Sequence, residues 1–454
     1  MRHIRPIPTI AALLATLAIF ACSPRLTQSD DTPPSTWIFG EGSTTDSLHL
    51  PLRWWESFGD TTLNRLVTIG LNKNRDLTAA AAKLTAAQQN IRYVRSEYLP
   101  SLYLSVEAEG EYTNSTKTVQ TYAIEPTVSW EIPLFGQLRH TSRRARAEAL
   151  SSAWSVRAMR LSIAAEIATS YFTLIEAQQN LAIARRSCVL RGEESQLIDS
   201  MYHYGLSDGI AREQARSLLY TAQSDVATYE RAVQQTQMSL SLLLGENPTT
   251  ILAEEFEQRI PQPIPIGLPS ELLERRPDIV ESYNTMEAAA AAVGLARSAR
   301  YPSISLTADG GVASSAIKDL TSGKPWVWSA TATLVQPIFN FGRLRSAERV
   351  AQAEYAEAVA EYEQTILTAF SEVEQALSAI STYATQREAM VKLVAANEKI
   401  AHTTSALYDN GMNDYLNVID AERELYSSQM ELLSVVANQY ISHITLYKAL
   451  GGGY

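Results

Sequence analysis

The sequence predicts a mixed α+β fold, mostly α-helical, that is built from two internal repeats. Three observations predict it. The same residues recur at a fixed spacing, each repeat holds a pair of segments in which apolar and polar residues alternate, and each pair precedes a long proline-free segment rich in helix formers. Alternation with a period of two is typical of strands, and runs of Ala, Glu, Arg and Leu favour helix.

The repeat has a constant offset of 206 residues, which places residues 135–245 over residues 341–451 without a gap. The coinciding pairs include Phe135 with Phe341, Gly136 with Gly342, Arg139 with Arg345, Tyr202 with Tyr408, Gly205 with Gly411, Asp208 with Asp414, and Gly245 with Gly451. We therefore predict a first repeat over 61–245, a proline-rich connection over 246–270 and a second repeat over 271–454.

The N-terminus predicts export. Basic Arg2 and Arg5 precede an apolar run from Ile10 to Phe20, which is the pattern of a secretion signal. The run has about 11 residues, fewer than the roughly 20 that a membrane-spanning helix needs. Because the run ends in a sequence that resembles a bacterial lipobox, with Ala21 before Cys22, we predict a lipoprotein signal peptide over 1–21 and a lipidated extension over 22–60. In the alternative interpretation, cleavage occurs nearby and Cys22 is discarded.

Four segments alternate as two-faced strands: 102–109, 122–132, 303–310 and 326–335. Their length matches the roughly 9 to 11 residues with which a tilted strand crosses a bilayer. An open sheet edge in lipid leaves backbone groups unpaired, and the smallest such barrels need about eight strands. Four strands per chain therefore predict that several chains pool their strands. A soluble sandwich with one wet face is the alternative, and it would not require several chains.

Long helices account for most of the remaining chain; the predicted ranges are 61–97, 137–203, 208–244, 279–299, 343–406 and 414–450. At 1.5 Å per residue, the segment 137–203 spans about 100 Å. Charged residues such as Glu354 and Glu357 make these helices too polar for lipid, so we expect them to project into water. Apolar residues three and four apart, such as Ile366 and Phe370, favour coiled-coil-like packing. A barrel continued by a cylinder of helices is a duct.

Composition and motif content argue against other functions. The net charge is −11 and no basic stripe with interleaved aromatic residues occurs, so nucleic acid is not an expected partner. The six histidines are scattered, and neither His-Glu-x-x-His nor Gly-x-Ser-x-Gly occurs, so we expect no enzyme. With two cysteines, the chain offers no disulfide framework or metal cluster. The expected covalent addition is the lipid on Cys22, with no cofactor.

Four motifs carry a resemblance to a known family: Leu268–Ile279, Ala299–Ser303, Gln336–Arg345 and Leu446–Tyr454. From Trp54 to Tyr454 the chain resembles the TolC-type outer-membrane efflux proteins, in particular the OprM/NodT-like lipoprotein branch. The family commonly has glycine at the position of Phe341 and often ends in Gly-Gly-Trp, where this chain ends in Gly453-Tyr454.

The resemblance implies a homotrimer in the cell outer membrane, with a twelve-stranded β-barrel, four strands per chain, continued by a periplasmic α-helical barrel. Its partners would be a periplasmic adaptor (membrane fusion) protein and an inner-membrane pump of the resistance-nodulation-division class. Its function would be passive conduction of drugs or other small molecules to the exterior. The alternatives are the outer-membrane duct of a type I protein secretion system and a structural envelope lipoprotein that does not conduct.

The resemblance also implies a constriction segment, Tyr415–Arg423, in which Leu416 and Asp420 face the tunnel and Arg423 lies nearby. Leu416 and Asp420 are four residues apart and share a helix face, and Arg423 is within salt-bridge reach of Asp420. Three such carboxylates around one axis favour hydrated cations, while Leu416 closes the pore by dewetting. The alternative is an ordinary solvated pair of Asp420 and Arg423.

Two tips are predicted at the ends of the long helices, and they are the expected adaptor contact. The residues concerned are Gly205, Asp208, Gly411 and Asp414. Glycine suits a left-handed helix terminus, and an N-cap function explains both aspartates equally well.

Overall fold

The structure is a computed structural model that describes residues 34, 36–39, 51–111, 119–251, 266–320 and 326–453. The predicted signal peptide over 1–21, the lipidation site Cys22 and most of the proline-rich connection lie outside the described residues.

Helices dominate the described chain, which confirms the predicted fold class in outline. The α-helices are α1 (Thr61–Lys73), α2 (Arg75–Ser96), α3 (Gln137–His203), α4 (Gly209–Leu244), α5 (Leu272–Arg275), α6 (Pro277–Ser298), α7 (Arg343–Asp409) and α8 (Tyr415–Ala449). Helices α3 and α7 have 67 residues each, a length of about 100 Å. Within the described residues, no helix combines the length and the apolar character that crossing a membrane requires.

A four-stranded antiparallel sheet contains all four segments predicted as strands. The strands are β1 (Ser101–Glu111), β2 (Val119–Ile132), β3 (Ser303–Ser314) and β4 (Trp326–Val335), and they pair in the order β1-β2-β3-β4. The central pair, β2 with β3, joins the two predicted repeats, with Thr127 opposite Asp309. Among the described strands, β1 and β4 each pair on one side only and form the edges of the sheet.

The two faces of the sheet differ sharply in polarity. Directly opposite residues share a face, so the register places Ser105 with Glu125 and Asp309 with Ser329 on a polar face. The opposite face is apolar and exposed; its members include Leu102, Leu104, Val106, Trp326, Trp328 and Leu334. A sheet whose apolar face is uncovered in the single chain needs another apolar environment to be stable.

The prediction of one leading helix over 61–97 is wrong, because Asn74 divides it into α1 and α2. The backbone N–H of Asn74 donates to the carbonyl of Gly70 at 2.9 Å and closes α1. Its side-chain Oδ1 accepts from the N–H groups of Asp76, at 2.9 Å, and Leu77, at 3.1 Å. A short polar side chain that satisfies helix-end donors is what an N-cap requires, so Asn74 ends one helix and begins the next.

The chain forms two compact units, and each takes residues from both predicted repeats. One unit consists of Ala82–Trp154 and Glu281–Gln364; it holds the sheet and a small core of Ala290, Val293, Ala351 and Tyr355. The other consists of the described residues of Thr32–Ala81 together with Ser155–Val280 and Thr365–Tyr454. The units do not follow the repeat boundaries, because β2 from the first repeat pairs with β3 from the second repeat inside one unit.

The larger core lies in the second unit and is rich in aromatic residues. Trp54 stacks on Tyr447 with ring centroids 5.2 Å apart, and Phe172 stacks on Tyr440 at 4.6 Å. Close pairs of this kind add to the free energy gained by burying the rings. The core fixes α3, α7 and α8 within this unit, which also contains both helical tips.

Candidate functional site

Two helical turns of matching geometry form the candidate tips. Gly205, with φ +74°, lies in the turn that follows α3, and Gly411, with φ +70°, has the same position between α7 and α8. The N–H of Gly205 donates to the carbonyl of Tyr202 at 3.0 Å, and that of Gly411 donates to Tyr408 at 2.9 Å. The left-handed backbone that these bonds require favours glycine, and the same bonds recur 206 residues apart.

The two tip aspartates cap the helices that follow them, as predicted. A carboxylate oxygen of Asp208 accepts from the N–H of Ala211 at 2.7 Å, and one of Asp414 accepts from Leu416 at 3.3 Å. These bonds satisfy helix N-terminal donors that have no partner inside the helix. Contact of either aspartate with an adaptor stays a prediction.

A small apolar cluster joins the two tips within their compact unit. Its buried members are Ile198, Ala215, Tyr415, Val418 and Ile419. They come from α3, α4 and α8, so the first turn of α8 is packed against the first hairpin. A movement of the start of α8 therefore has to break or slide this contact.

The predicted constriction residues lie on the first three turns of α8. Leu416 is 47% exposed, and a guanidinium nitrogen of Arg423 lies 3.3 Å from a carboxylate oxygen of Asp420. The two side chains form the contact that their spacing of three residues allows. More than half of each side chain is exposed, so the pair by itself contributes little to stability. That Leu416 and Asp420 face a tunnel stays a prediction.

A buried ion-pair cluster beside these residues was not predicted. The guanidinium of Arg191 on α3 contacts the carboxylate of Glu422 on α8, and it lies 3.2 Å from a carboxylate oxygen of Glu194. The Arg191 side chain is only 8% exposed. The buried guanidinium of Arg191 thus pairs with one carboxylate from α3 and one from α8. The α8 carboxylate belongs to Glu422, two residues after Asp420.

Burial raises the pKa of Glu422 to about 7. The neighbouring carboxylate of Glu194 raises the pKa further, while the positive charge of Arg191 lowers it. The hydroxyl of Tyr415 is buried without a hydrogen-bond partner among the described residues, and burial raises the pKa of this phenol too. The start of α8 therefore contains groups whose protonation and hydrogen bonding depend on how α8 lies on α3.

One signal in the sequence could have revealed this cluster. Arg191, Ser195 and Ile198 follow a spacing of four and three residues, and all three are buried. This is the spacing of the packed stripe of a helix. A charged residue on such a stripe requires a buried partner. The partner could not be identified, because Glu422 lies 231 residues away.

A sequence model of the outer membrane efflux protein family matches the chain twice, over residues 66–246 and 268–452. Toluene efflux pump outer membrane protein TtgF of Pseudomonas putida is 34% identical over 411 residues, which cover 89% of this chain and 86% of TtgF. Outer membrane protein OprJ of Pseudomonas aeruginosa is 30% identical over 468 residues, with 99% and 97% covered.

Solved structures of similar fold include two outer-membrane channels. The channel OprN superposes with a TM-score of 0.86 at 26% identity and covers 95% of this chain and 99% of its own. The open state of the MtrE channel of Neisseria gonorrhoeae gives a TM-score of 0.81 at 26% identity, with 95% and 98% covered.

Proposed function

Because the chain belongs to the outer membrane efflux protein family, we propose that it assembles as a homotrimer, with one twelve-stranded β-barrel in the outer membrane and a periplasmic tunnel of helices. The chain is the outer-membrane channel of an efflux system. The observation that carries this conclusion is the double match to the family, which spans both repeats.

Support for the trimeric barrel comes from the edges of the sheet. Within the described chain, β1 and β4 each lack a second strand neighbour, and in hydrocarbon each unpaired backbone group costs several kcal/mol. Pairing β4 of one copy with β1 of the next removes both edges. Three copies supply twelve strands, with the apolar face of Leu102 and Trp328 toward lipid and the polar face toward the lumen.

The partners follow from the position of an outer-membrane channel in an efflux system. An inner-membrane pump of the resistance-nodulation-division class would supply the free energy, and a periplasmic adaptor would join the pump to the tips at Gly205, Asp208, Gly411 and Asp414. A lipid on Cys22 would hold the N-terminal extension to the outer membrane. The cargo would be drugs, solvents or other small molecules. Toluene, which the name of the relative TtgF gives as the cargo of its pump, is a small molecule of this kind.

The periplasmic gate would consist of Leu416, Asp420 and Arg423. The support is geometric, since Leu416 is half exposed on the first turn of α8 and Asp420 carries a solvated carboxylate one turn further on. Only the second hairpin carries this carboxylate, because the residue 206 positions before Asp420 is Gln214. Each chain would therefore contribute one carboxylate to a ring of three.

Purification from outer membranes, followed by light scattering and planar-bilayer recording, tests the proposal. We expect a species with the mass of three chains and discrete conductance steps. Asp420→Ala should lower the preference of the pore for cations over anions, and Gln214→Ala, the same truncation at the equivalent position of the first hairpin, should leave that preference unchanged. A monomer in solution without detergent would refute the barrel, and a trimer that passes no ions even with Asp420→Ala would indicate a structural lipoprotein.

Deletion of the gene separates the two kinds of duct. An efflux channel predicts hypersensitivity to several small toxic compounds that is restored by the wild-type chain. Unchanged susceptibility together with the loss of one secreted protein would instead identify a type I secretion duct.

A further inference from the structure

An exposed apolar corner follows strand β4, where the chain turns into α7. Ile338 is 92% exposed, Phe339 is 76% exposed and Phe341 is 92% exposed. The rings of Phe339 and Phe341 lie 4.6 Å apart, so they form one apolar projection. Exposed apolar side chains this close together form a patch of the kind that marks an interaction or membrane surface.

The backbone of Phe341 makes this exposure more informative. Its φ is +50°, and it is the only residue other than glycine with positive φ in the described chain. A bulky side chain in the left-handed region costs free energy, and such positions persist where the surrounding structure or a function requires them.

The first repeat offers an internal comparison. Phe135, located 206 residues before Phe341, has no positive φ. Its ring stacks on Tyr301 with centroids 5.6 Å apart and planes 11° apart. Phe135 is therefore partly packed against its own chain, with 43% of the residue exposed, against 92% for Phe341. Phe341 is turned outward at the equivalent corner, so the two corners have the same residue type and different surroundings.

Charge identifies the kind of surface that the corner fits. Between Val335 and Glu348 the only charged residues are Arg343 and Arg345, and both are exposed. This local positive charge stands in a chain whose net charge is −11. Phe and other apolar side chains beside basic residues are typical of segments that lie at the boundary between hydrocarbon and anionic phospholipid headgroups.

The length of β4 places the corner at that boundary. Strand β4 has 10 residues, about 33 Å of extended chain. At a tilt of about 40° this covers about 25 Å along the membrane normal, the height of the apolar band of an outer-membrane barrel. The residues that follow Val335 therefore leave the hydrocarbon and enter the headgroup layer.

We propose that the corner of Ile338, Phe339 and Phe341 is a membrane anchor, which inserts into the headgroup layer of the periplasmic leaflet while Arg343 and Arg345 bind lipid phosphate. This anchor rests on the proposed function, because it requires the apolar face of the sheet to lie in lipid. It would fix the depth of the sheet in the membrane.

Site-directed spin labelling tests the anchor in the full chain, reconstituted in vesicles of phosphatidylethanolamine and phosphatidylglycerol. Cysteine is introduced at Phe341, or at Ala330 in the middle of β4, or at Tyr204 on a tip, each in a Cys188→Ala background. The background without an introduced cysteine gives the contribution of Cys22. Collision with oxygen reports lipid, and collision with a water-soluble nickel chelate reports solvent. We expect the oxygen-to-nickel ratio at position 341 to lie between those at positions 330 and 204.

The other outcomes separate the two proposals. Suppose that position 330 reports lipid. The proposed membrane anchor is then overturned if the label at position 341 behaves like the tip label, and also if neither reagent reaches it because a second copy covers it. If position 330 also lacks contact with oxygen, the sheet is not in lipid and the proposed barrel fails as well.

A second measurement tests the arginines without labelling the corner. Phosphatidylglycerol should raise the melting temperature of the wild-type chain above its value in neutral vesicles, and Arg343→Gln with Arg345→Gln should abolish most of that rise. The pair Arg186→Gln and Arg231→Gln, which removes two exposed charges from the other compact unit, should leave the rise intact. Equal effects of the two pairs would contradict lipid binding at the corner.

Discussion

The guanidinium of Arg191 on α3 contacts the carboxylate of Glu422 on α8. This contact joins the two helices through residues that are 231 positions apart in the sequence. The contact lies near the start of α8, in the same part of the helix as Leu416 and Asp420. The cluster of Arg191, Glu194 and Glu422 is therefore placed to control how α8 lies on α3, and its charges make that control dependent on pH.

Glu422→Gln should reduce the pH dependence of stability. Folding raises the pKa of this carboxyl from 4.5 to about 7, so the folded chain binds more protons than the unfolded chain between these values. The stabilising contribution is complete below the lower pKa and is lost as the pH rises through about 7. Between those two pH values the melting temperature of the wild type should fall more than that of the variant.

Arg423→Gln is the matched control for this titration, since it removes an exposed charge from the next position on α8. Its melting temperature should follow the wild-type dependence on pH. If Glu422→Gln and the wild type lose stability in parallel across the window, Glu422 does not titrate there.

Arg191→Met should destabilise the chain much more than Arg185→Met. Both arginines lie on α3 and pair with a carboxylate of another helix, but the Arg191 side chain is 8% exposed and that of Arg185 is 60% exposed. Removing one partner of a buried pair costs about 3 to 5 kcal/mol, whereas an exposed pair contributes under about 1 kcal/mol. Thermal unfolding in detergent measures the difference, and equal losses would show that the cluster is not buried in the assembled protein.

The sequence predicted the positions of the strands and long helices well, and it predicted the contacts between distant side chains poorly. The alternation of Leu102, Tyr103 and Leu104 and the long proline-free segments are local patterns, so strand and helix positions followed from them. Two features could not be predicted in this way: the pairing of Arg191 with Glu422 and the division of the leading helix at Asn74. Both involve side chains or carbonyl groups that lie on other helices. In particular, Asn74 donates a side-chain hydrogen bond to the carbonyl of Leu243 at 2.9 Å, a partner that no short spacing could reveal.

Leu416→Ala should open the channel, while Ile210→Ala should not. Ile210 lies 206 residues before Leu416, and it is more exposed, at 69% against 47%. If Leu416 closes the pore by dewetting, its truncation admits water and ions, and planar-bilayer recordings should show a several-fold higher open probability. An equal rise in both variants would mean that loss of an apolar side chain at either tip loosens the helices, with no gate at Leu416.

Gly311→Ala should impair the sheet, and Gly110→Ala should be tolerated. A Cβ at position 311 would lie 2.1 Å from the carbonyl oxygen of Ile124, whereas nothing lies within 4 Å of one at position 110. The close approach arises at an interruption of the β2–β3 ladder, between the pairs of Ile124 with Val312 and of Thr127 with Asp309. Pro126 lies in that gap and has no N–H to donate, which accounts for the interruption. The carbonyl of Ile124 leaves no room for a Cβ at position 311. Overpacking of this kind costs about 1 to 3 kcal/mol, and it should appear as a lower yield of the heat-resistant oligomer on unboiled gels. Equal yields from the two variants would show that the strands separate at this point when the barrel closes.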